Sequence, residues 1–256
     1  MAAMEGPMEH HRVNSGSNPV LAGIPRPLAG AGGPLTRSEY PVVTGASVVG
    51  LCYADGFVLA GDIAASYGKM LRYENCPRLK KINECTMMAV SGDIADFQFL
   101  EKVIDAKVID EDRYHDGFKL KPKSLYSWLT RVLYNRRSNF DPLWTNIIVG
   151  GMQDGKPYLG TVDKLGAAFE THLYATGFGS YLGLGLLRDA YDQKQGKLTK
   201  QEAIDVVKNV LRVLYYRDCL AYNKYQLGII DAEGARIEGP LLLDSDWSVA
   251  ALVDGH

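Results

Sequence analysis

The chain has 256 residues, of which 46% are hydrophobic and 23% are charged, and its formal net charge is −2. This composition is typical of a soluble globular domain with a substantial core. The near-neutral charge excludes the basic field that binding to nucleic acid or to an anionic membrane requires, and no apolar stretch reaches the roughly 18 residues of a membrane span. We therefore expect neither nucleic acid nor a membrane among its partners.

The cysteines and histidines give no metal or disulfide signal. They form no CxxC or HExxH pattern, and no cysteine stands at ligand spacing from a histidine. We expect free thiols in a reducing compartment and no zinc site. The residues concerned are Cys52, Cys76, Cys85, Cys219, His10, His11, His115, His172 and His256.

Residues 1–35 contain no aromatic residue and eleven glycines or prolines. A segment of this composition cannot bury enough apolar area to fold alone. It has neither a secretory hydrophobic region nor the Arg-rich, acid-poor pattern of a transit peptide. Composition alone leaves two interpretations, a disordered tail and a removable propeptide.

From Tyr40 the pattern changes to hairpins followed by helices. SVVGLCY and FVLAGD are β-rich runs joined by a turn at 54–56, and RLKKINECTMMAVSG repeats the scheme around Asn83 and Glu84. Apolar residues at helical spacing after Asp93 predict one helix, and Pro122 begins a second. The apolar positions are Ile94, Phe97, Val103 or Ile104, and Val108 in the first helix, and Leu125, Trp128, Leu129 and Val132 in the second.

The second half repeats this order. WTNIIVGGM and PYLGTVD flank a turn at Asp154 and Gly155, AAFETHLYATG follows, and SYLGLGLLRDAYDQ and KQEAIDVVKNVLRVLYYRD predict two helices. KYQLGIID and ARIEG form a last strand pair that turns at 232–234. Strands and helix pairs in this alternation predict an α+β fold, a four-layer αββα sandwich.

The glycine-rich segment ATGFGSYLGLG lies between a predicted strand and a predicted helix, where backbone amides can bind an anion. Its glycines, Gly177, Gly179 and Gly183, miss the dinucleotide spacing by one residue, and no P-loop lysine follows. A tight strand-to-helix junction is the better interpretation, and we expect no cofactor. A serine-hydrolase elbow is also out of register here.

Four short motifs follow one another along the chain: FVLAGD ending at Asp62, AVSGDIADF from Ala89, ATGFGS from Ala175 and YYRD ending at Asp218. Together, from about residue 43 to 239, they resemble the β-type subunits of the proteasome, which are N-terminal nucleophile hydrolases with the αββα fold. VTGASV, SWLTR and IEGPL narrow the resemblance to a non-catalytic member. It implies assembly with other α and β subunits in a stacked-ring particle, and residence in cytoplasm and nucleus.

In active members, a threonine exposed by cleavage after glycine attacks the peptide carbonyl, its α-amino group acts as base, and a lysine tunes the site. Counting back from Asp62 without gaps places Ala46 at the threonine position, behind Gly45. Arg78 stands at the lysine position, and a guanidinium stays charged near neutral pH. We expect Asp62 and Arg78 to form a partly buried ion pair that holds the former site closed.

Two further family positions are changed as well. Phe178 replaces a serine of the glycine-rich junction, and Ala221 replaces the serine three residues beyond Asp218. We therefore predict no catalytic residue and a degenerate site. Its members are Ala46, Asp62, Arg78, Phe178, Asp218 and Ala221.

Neither Thr44, which precedes Gly45, nor Ser47 is placed to become a cleavage-generated nucleophile. Without self-cleavage, the resemblance implies that neighbouring subunits trim the chain near Arg37 and Ser38. We therefore divide the chain into a propeptide at 1–37, disordered and removed, a sandwich domain at 38–239, and a C-terminal arm at 240–256.

The arm carries apolar residues beyond the last predicted strand: Leu241, Leu242, Leu243, Trp247, Val249 and Leu252. One interpretation is that they pack on their own domain. The other is that they are buried on another subunit, because apolar surface of this size is costly to leave in water. The resemblance implies an arm that reaches the opposite β ring, so deletion from Pro240 is expected to leave the fold intact and half-particles unpaired.

The sequence thus predicts a non-catalytic structural subunit of the 20S proteasome core particle, supporting assembly and ring pairing in ATP- and ubiquitin-dependent protein degradation. Two alternatives stay open. One is an active threonine peptidase, and the other is a free binding module that uses the glycine-rich junction for an anionic ligand.

Overall fold

The computed structural model describes residues 41–117, 119–248 and 250. Within them two antiparallel sheets face each other, and helices cover the outer face of each sheet. This arrangement confirms the predicted αββα sandwich.

The first sheet, sheet A, has eight strands in the order β10-β9-β8-β7-β1-β4-β5, with β6 also paired to β7. Its strands are β1 (Val43–Gly45), β4 (Ala65–Tyr67), β5 (Met70–Tyr73), β6 (Leu79–Asn83), β7 (Thr86–Asp93), β8 (Thr145–Gln153), β9 (Lys156–Val162) and β10 (Ala168–Glu170). Sheet A therefore collects strands from both halves of the chain.

The second sheet, sheet B, has five strands in the order β11-β2-β3-β12-β13. They are β2 (Val48–Tyr53), β3 (Gly56–Asp62), β11 (Leu173–Ala175), β12 (Lys224–Asp231) and β13 (Gly234–Leu242). The helices are α1 (Ile94–Asp112), α2 (Pro122–Ser138), α3 (Gly179–Leu182), α4 (Leu184–Gln193) and α5 (Lys200–Arg217).

Strand β3 shows why apolar runs such as FVLAGD are continuous rather than alternating. Successive side chains of a strand point to opposite faces, and here both faces are buried. Val58 and Ala60 pack under α5, while Phe57 and Leu59 pack between the two sheets. The central strands therefore have no face left for solvent.

Local signals mark where α1, α2 and α5 begin. The Asp93 side chain accepts hydrogen bonds from the amides of Ala95 (2.8 Å) and Asp96 (3.1 Å), so it caps α1. Pro122 stands in the first turn of α2, where its missing N–H costs nothing. Thr199 and Glu202 form a reciprocal capping box at α5.

Three features differ from the prediction. SYLGLGLLRDAYDQ forms two helices separated at Gly183, where a Cβ would lie 2.5 Å from Cγ1 of Val210 on α5, so only glycine fits there. AAFETHLYATG divides into β10 of sheet A and β11 of sheet B, so the chain crosses between the sheets. The β4–β5 hairpin, residues 65–73, was not predicted at all.

Candidate functional site

Arg78 is fully buried where β1, β2, β3 and β7 approach one another. Its Nη2 donates to Oδ1 of Asp62 (2.7 Å) and to the Ser47 carbonyl (3.2 Å). Its Nε donates to the Asp62 carbonyl (3.2 Å), and its Nη1 donates to the carbonyls of Val90 (3.4 Å) and Ala46. A guanidinium has five N–H donors, and all five are engaged, so this side chain connects both sheets.

Asp62, the last residue of β3, has a side chain that is only 6% exposed. Besides Arg78, its carboxylate accepts from the amides of Ala64 (3.3 Å) and Tyr222 (3.4 Å). Burial raises the pKa of the Asp62 carboxyl, and the Arg78 guanidinium and these two amides oppose that rise. The carboxylate is therefore committed to structural contacts and does not point at an open site.

Gly45 shows how closely Arg78 fills the space beside residue 46. A Cβ at Gly45 would collide with Cδ of Arg78 and would lie 2.8 Å from its Nε. Ala46 itself contributes only its carbonyl oxygen to the cluster. Arg78, the residue at the predicted lysine position, thus fills the space beside residue 46 with a guanidinium that is hydrogen-bonded to the surrounding backbone.

The segment before Ala46 is a strand within sheet A. Strand β1 pairs with β4 on one side and with β7 on the other, so that Thr44 lies opposite both Ser66 and Asp93. The Val42 amide donates to Oδ2 of Asp93 (3.0 Å). Cleavage after Gly45 would detach this strand from its place between two others.

The neighbouring hydroxyl groups offer no substitute nucleophile. Ser47 is 4% exposed, and its Oγ accepts from the Gly179 amide (2.9 Å). Thr176 Oγ1 likewise accepts from the Val48 amide (3.0 Å), while Thr44 lies within β1. These bonds attach the start of β2 to the glycine-rich junction.

The glycine-rich junction leads into α3, which has four residues, and is a tight turn, as predicted. Gly177 has φ of 58°, and the Gly179 amide is already donated to Ser47. The Ser180 amide and hydroxyl both donate to the Gly177 carbonyl, at 3.2 and 2.7 Å. The free binding module is not favoured.

The structure brings together some of the predicted site residues and separates others. Asp218 ends α5 and caps a turn through the Leu220 amide (3.0 Å), and this turn presents the Tyr222 amide to Asp62. Ala221 lines a cavity beside Ser47 and Asp62 with an accessible volume of about 10 Å³, which is room for about one water. Phe178, in contrast, is 57% exposed, forms no hydrogen bond to this cluster through its side chain, and lies with its ring centroid 6.5 Å from that of Tyr181.

Val90, Tyr222 and Ser47 belong to the cluster but were not among the predicted site residues. Val90 and Tyr222 take part only through backbone atoms, so their side chains carry no signal in the sequence. Ser47 likewise takes part through its carbonyl, while its hydroxyl is bonded to the Gly179 amide.

The C-terminal boundary at 239/240 has to be corrected. Residues 240–242 belong to β13, with Leu241 opposite Tyr225 and Leu242 opposite Lys224. Leu241 packs partly buried against the core under α5, and Leu243 is 6% exposed within it. Because β12 extends to Lys224, β13 continues alongside it, and only Leu242 of these three leucines is exposed.

Trp247 lies against the end of α5 in its own chain. Its ring meets those of Tyr216 and Tyr215 edge-on, with centroid distances of 5.0 and 5.8 Å. The Tyr216 hydroxyl accepts from the Asp246 amide (2.6 Å) and donates to the Asp246 carbonyl (3.2 Å). We call these three aromatic residues the aromatic clamp. Val249, Leu252, Arg37 and Ser38 lie outside the described residues.

Comparison with known proteins agrees with this geometry. The family model described as "Proteasome subunit" matches residues 42–230. The chain belongs to the proteasome subunit family. It is a non-catalytic member, as the sequence predicts from Ala46 and Arg78, which stand at the positions that the family resemblance assigns to the nucleophile and the lysine.

Individual relatives specify the similarity further. The chain is 44% identical to "Proteasome subunit beta type-4" of Xenopus laevis over 223 residues, which cover 87% of this chain and 92% of the relative. It is 38% identical to the protein of the same name from Drosophila melanogaster over 252 residues (98% and 93%). Identity to "Proteasome subunit beta type-7" of Saccharomyces cerevisiae is 36% over 240 residues (90% of each).

The described residues contain no group of three or more His, Cys, Asp or Glu that could hold a metal ion. No helix among them is both long and apolar enough to cross a bilayer.

Proposed function

We propose that this chain is a structural β subunit of the 20S core particle, supporting assembly and ring pairing in ATP- and ubiquitin-dependent protein degradation. The observation that carries the proposal is the Arg78 cluster. A family site whose nucleophile position is alanine, and whose centre is filled by a fully bonded guanidinium, contributes shape rather than chemistry. Peptide hydrolysis then resides in sibling subunits.

The N-terminal segment is removed near Arg37 and Ser38 by neighbouring subunits, not by self-cleavage at Gly45. Support comes from β1, because a cut near residue 38 leaves this strand between β4 and β7, whereas a cut after Gly45 removes it. Mass analysis of the mature chain tests this point. A mature chain that starts at Ala46 would contradict it.

The C-terminal arm begins beyond the aromatic clamp and reaches the opposite β ring. Because residues 240–243 belong to the sheet and core of this chain, deletion from Pro240 would also damage the fold. The appropriate truncation removes residues 249–256. We expect it to leave half-particles unpaired while the truncated chain still enters them.

The subunit resides in cytoplasm and nucleus with the assembled particle. Imaging of a tagged chain together with a tagged sibling subunit tests this, since we expect the two signals to coincide in both compartments. A signal confined to one compartment would contradict it.

The decisive experiment is purification through a removable tag, followed by native mass measurement and identification of the chains present. We expect a large particle that contains many related α and β chains. A covalent probe for N-terminal threonine should label sibling chains in that particle and leave this chain unlabelled. A monomer, a homo-oligomer or a labelled chain would overturn the proposal.

A further inference from the structure

A small cavity lies between the degenerate site and the core under α5. Its volume is about 10 Å³, which is room for about one water. Ser47, Asp62 and Ala221 line it on behalf of the site. The leucines that line it belong to the core: Leu211, Leu214 and Leu243. Two polar side chains and several apolar ones therefore meet around one water-sized space.

The Asp62 carboxylate can accept more hydrogen bonds than the protein gives it. Its Oδ1 accepts from Nη2 of Arg78 (2.7 Å) and from the Ala64 amide (3.3 Å). Its Oδ2 accepts only from the Tyr222 amide among the described residues, and that bond is long, at 3.4 Å. A carboxylate offers about four acceptor sites, and an acceptor buried without a donor is costly. A further donor to Oδ2 would therefore stabilise this side chain, which is only 6% exposed.

The Ser47 hydroxyl has the opposite need, because it has a hydrogen to donate. Its Oγ accepts from the Gly179 amide (2.9 Å), so its own hydrogen is not used in that bond. This hydroxyl donates to no acceptor in the part of the chain that the structure describes. Since Ser47 is 4% exposed, bulk solvent supplies no acceptor either, and buried hydroxyls are normally bonded. The cavity wall thus carries a donor on Ser47 and an acceptor on Asp62.

Ala221 stands where the family resemblance implies a serine, so this chain lacks one hydroxyl group beside the cavity. The backbone of the turn is held in place on both sides of the missing group. The Ala221 amide donates to the Asp218 carbonyl (3.1 Å), and the next amide, that of Tyr222, donates to Asp62. Loss of the hydroxyl therefore removes volume and a polar group from the same place.

The charge and the size of the cavity favour a small neutral occupant. Asp62 is already paired with Arg78, and the five N–H donors of Arg78 are all engaged, so an anion would find no free positive group. A metal cation needs about six oxygen ligands, whereas three leucines line this cavity. Room for about one water excludes an organic ligand. Water fits, because it donates and accepts at once.

From these observations we infer that the cavity is a binding site for one ordered water, which donates to Oδ2 of Asp62, accepts from the Ser47 hydroxyl and replaces the hydroxyl that Ala221 lacks. The water links the start of β2, the end of β3 and the turn after α5. The inference goes beyond the proposed function, because it assigns a bound molecule to the degenerate site and does not depend on assembly.

The first test is an experimental map of the purified assembly that contains the full-length chain, at a resolution that shows ordered waters. We expect one peak at about 2.5–3.2 Å from both Oδ2 of Asp62 and Oγ of Ser47. A peak within this distance of one atom or of neither, or no peak, would overturn the inference. So would a peak with about six oxygen neighbours at about 2.4 Å, which would be a cation. Purification of the chain as a monomer would contradict the proposed function only, and its map would still test the water.

Two substitutions at Ala221 give an independent measurement by thermal unfolding. Ala221→Ser supplies a hydroxyl in place of the water, so the peak should disappear while the unfolding midpoint is unchanged. Ala221→Cys displaces the water with a weakly hydrogen-bonding thiol and should lower the midpoint by about 2–4 °C. Ala60→Ser is the matched control, because it buries a hydroxyl at an apolar position that does not line the cavity, and it should also lower the midpoint. Equal midpoints for the two Ala221 variants, or a loss in Ala221→Ser as large as in Ala60→Ser, would contradict the inference.

Discussion

The cluster around Arg78 and the edge strand β5 differ in how far their side chains are buried. Around Arg78, five N–H donors and their acceptors are satisfied within one chain. At β5, by contrast, all four residues are exposed, and the outer backbone edge of the strand pairs with no other described strand. The difference separates residues whose polar groups are all bonded within the chain from residues that lie at its surface. Changes around Arg78 should therefore lower the free energy of unfolding far more than changes at the exposed residues of β5.

The substitution Arg78→Met gives the strongest test of whether the contacts around Arg78 stabilise the chain. It leaves Asp62 buried without its charged partner and removes donors from four carbonyl groups. We expect a loss of about 3–5 kcal/mol in the free energy of unfolding, measured by denaturant titration. The double variant Asp62→Asn with Arg78→Met serves as control and should recover part of that loss. A single variant as stable and as well assembled as wild type would remove the support for a structural ion pair.

The substitution Leu243→Ala tests whether the segment after β13 packs in the core under α5. Leu243 is 6% exposed in the core under α5, and its amide donates to the Asn223 carbonyl (2.8 Å). Removing its side chain should cost about 2–4 kcal/mol in unfolding free energy through lost burial and a cavity. Leu242→Ala is the neighbouring control, because Leu242 is 67% exposed. Equal effects of the two changes would mean that this segment does not pack on its own chain.

The substitution Trp247→Ala tests the aromatic clamp, in which Trp247 is neither fully buried nor fully exposed. The half-exposed ring makes two edge-on contacts, so we expect a loss of about 1–2 kcal/mol in the free energy of unfolding. Tyr216→Phe keeps the ring contacts and removes the hydroxyl that bonds the Asp246 backbone, and it should cost about 1 kcal/mol. Thermal unfolding measures both variants. If neither variant changes stability, the clamp does not hold the segment.

The smallest loss of stability is expected at the start of α5, where a single helix cap is removed. Thr199→Ala should cost about 1 kcal/mol because it removes the cap of this helix. Lys194 and Thr199 lower the pKa of Glu202 from its ordinary 4.5 to about 2. The stability that the ionised Glu202 carboxylate adds to the folded chain is therefore fully present above pH 4.5 and is lost as the pH falls towards 2. The stability difference between wild type and Glu202→Gln should shrink in that window, and a difference independent of pH would contradict the capping role.

Local signals predicted the parts of the fold that are locally determined. The hairpins β2–β3, β8–β9 and β12–β13 turn at short polar or glycine-containing segments between apolar runs, as predicted. The β4–β5 hairpin was missed because its strands are three and four residues long and β5 is exposed throughout, so no burial pattern marks it. Crossings between sheets, as at β1–β2 and β10–β11, depend on pairing across the whole chain.

The residues of the site followed from the family resemblance, whereas their contacts did not. Arg78 bonds residues up to 32 positions away, and Ser47 bonds Gly179 across 132 positions. Such contacts arise from three-dimensional packing and leave no spacing in the sequence. The same applies to Leu243. The sequence predicts that this residue belongs to the C-terminal arm, whereas in the structure it packs in the core.

The space that Arg78 occupies also limits what single substitutions at this site could achieve. Replacing Ala46 by threonine would restore a hydroxyl, but the guanidinium would still lie against the backbone there, and β1 would still precede the residue. Reverting Arg78 alone would leave Asp62 without its strongest partner. Each of these changes made alone is thus unfavourable or insufficient, so restoring a nucleophile would require residues 46 and 78 and the preceding strand to change together.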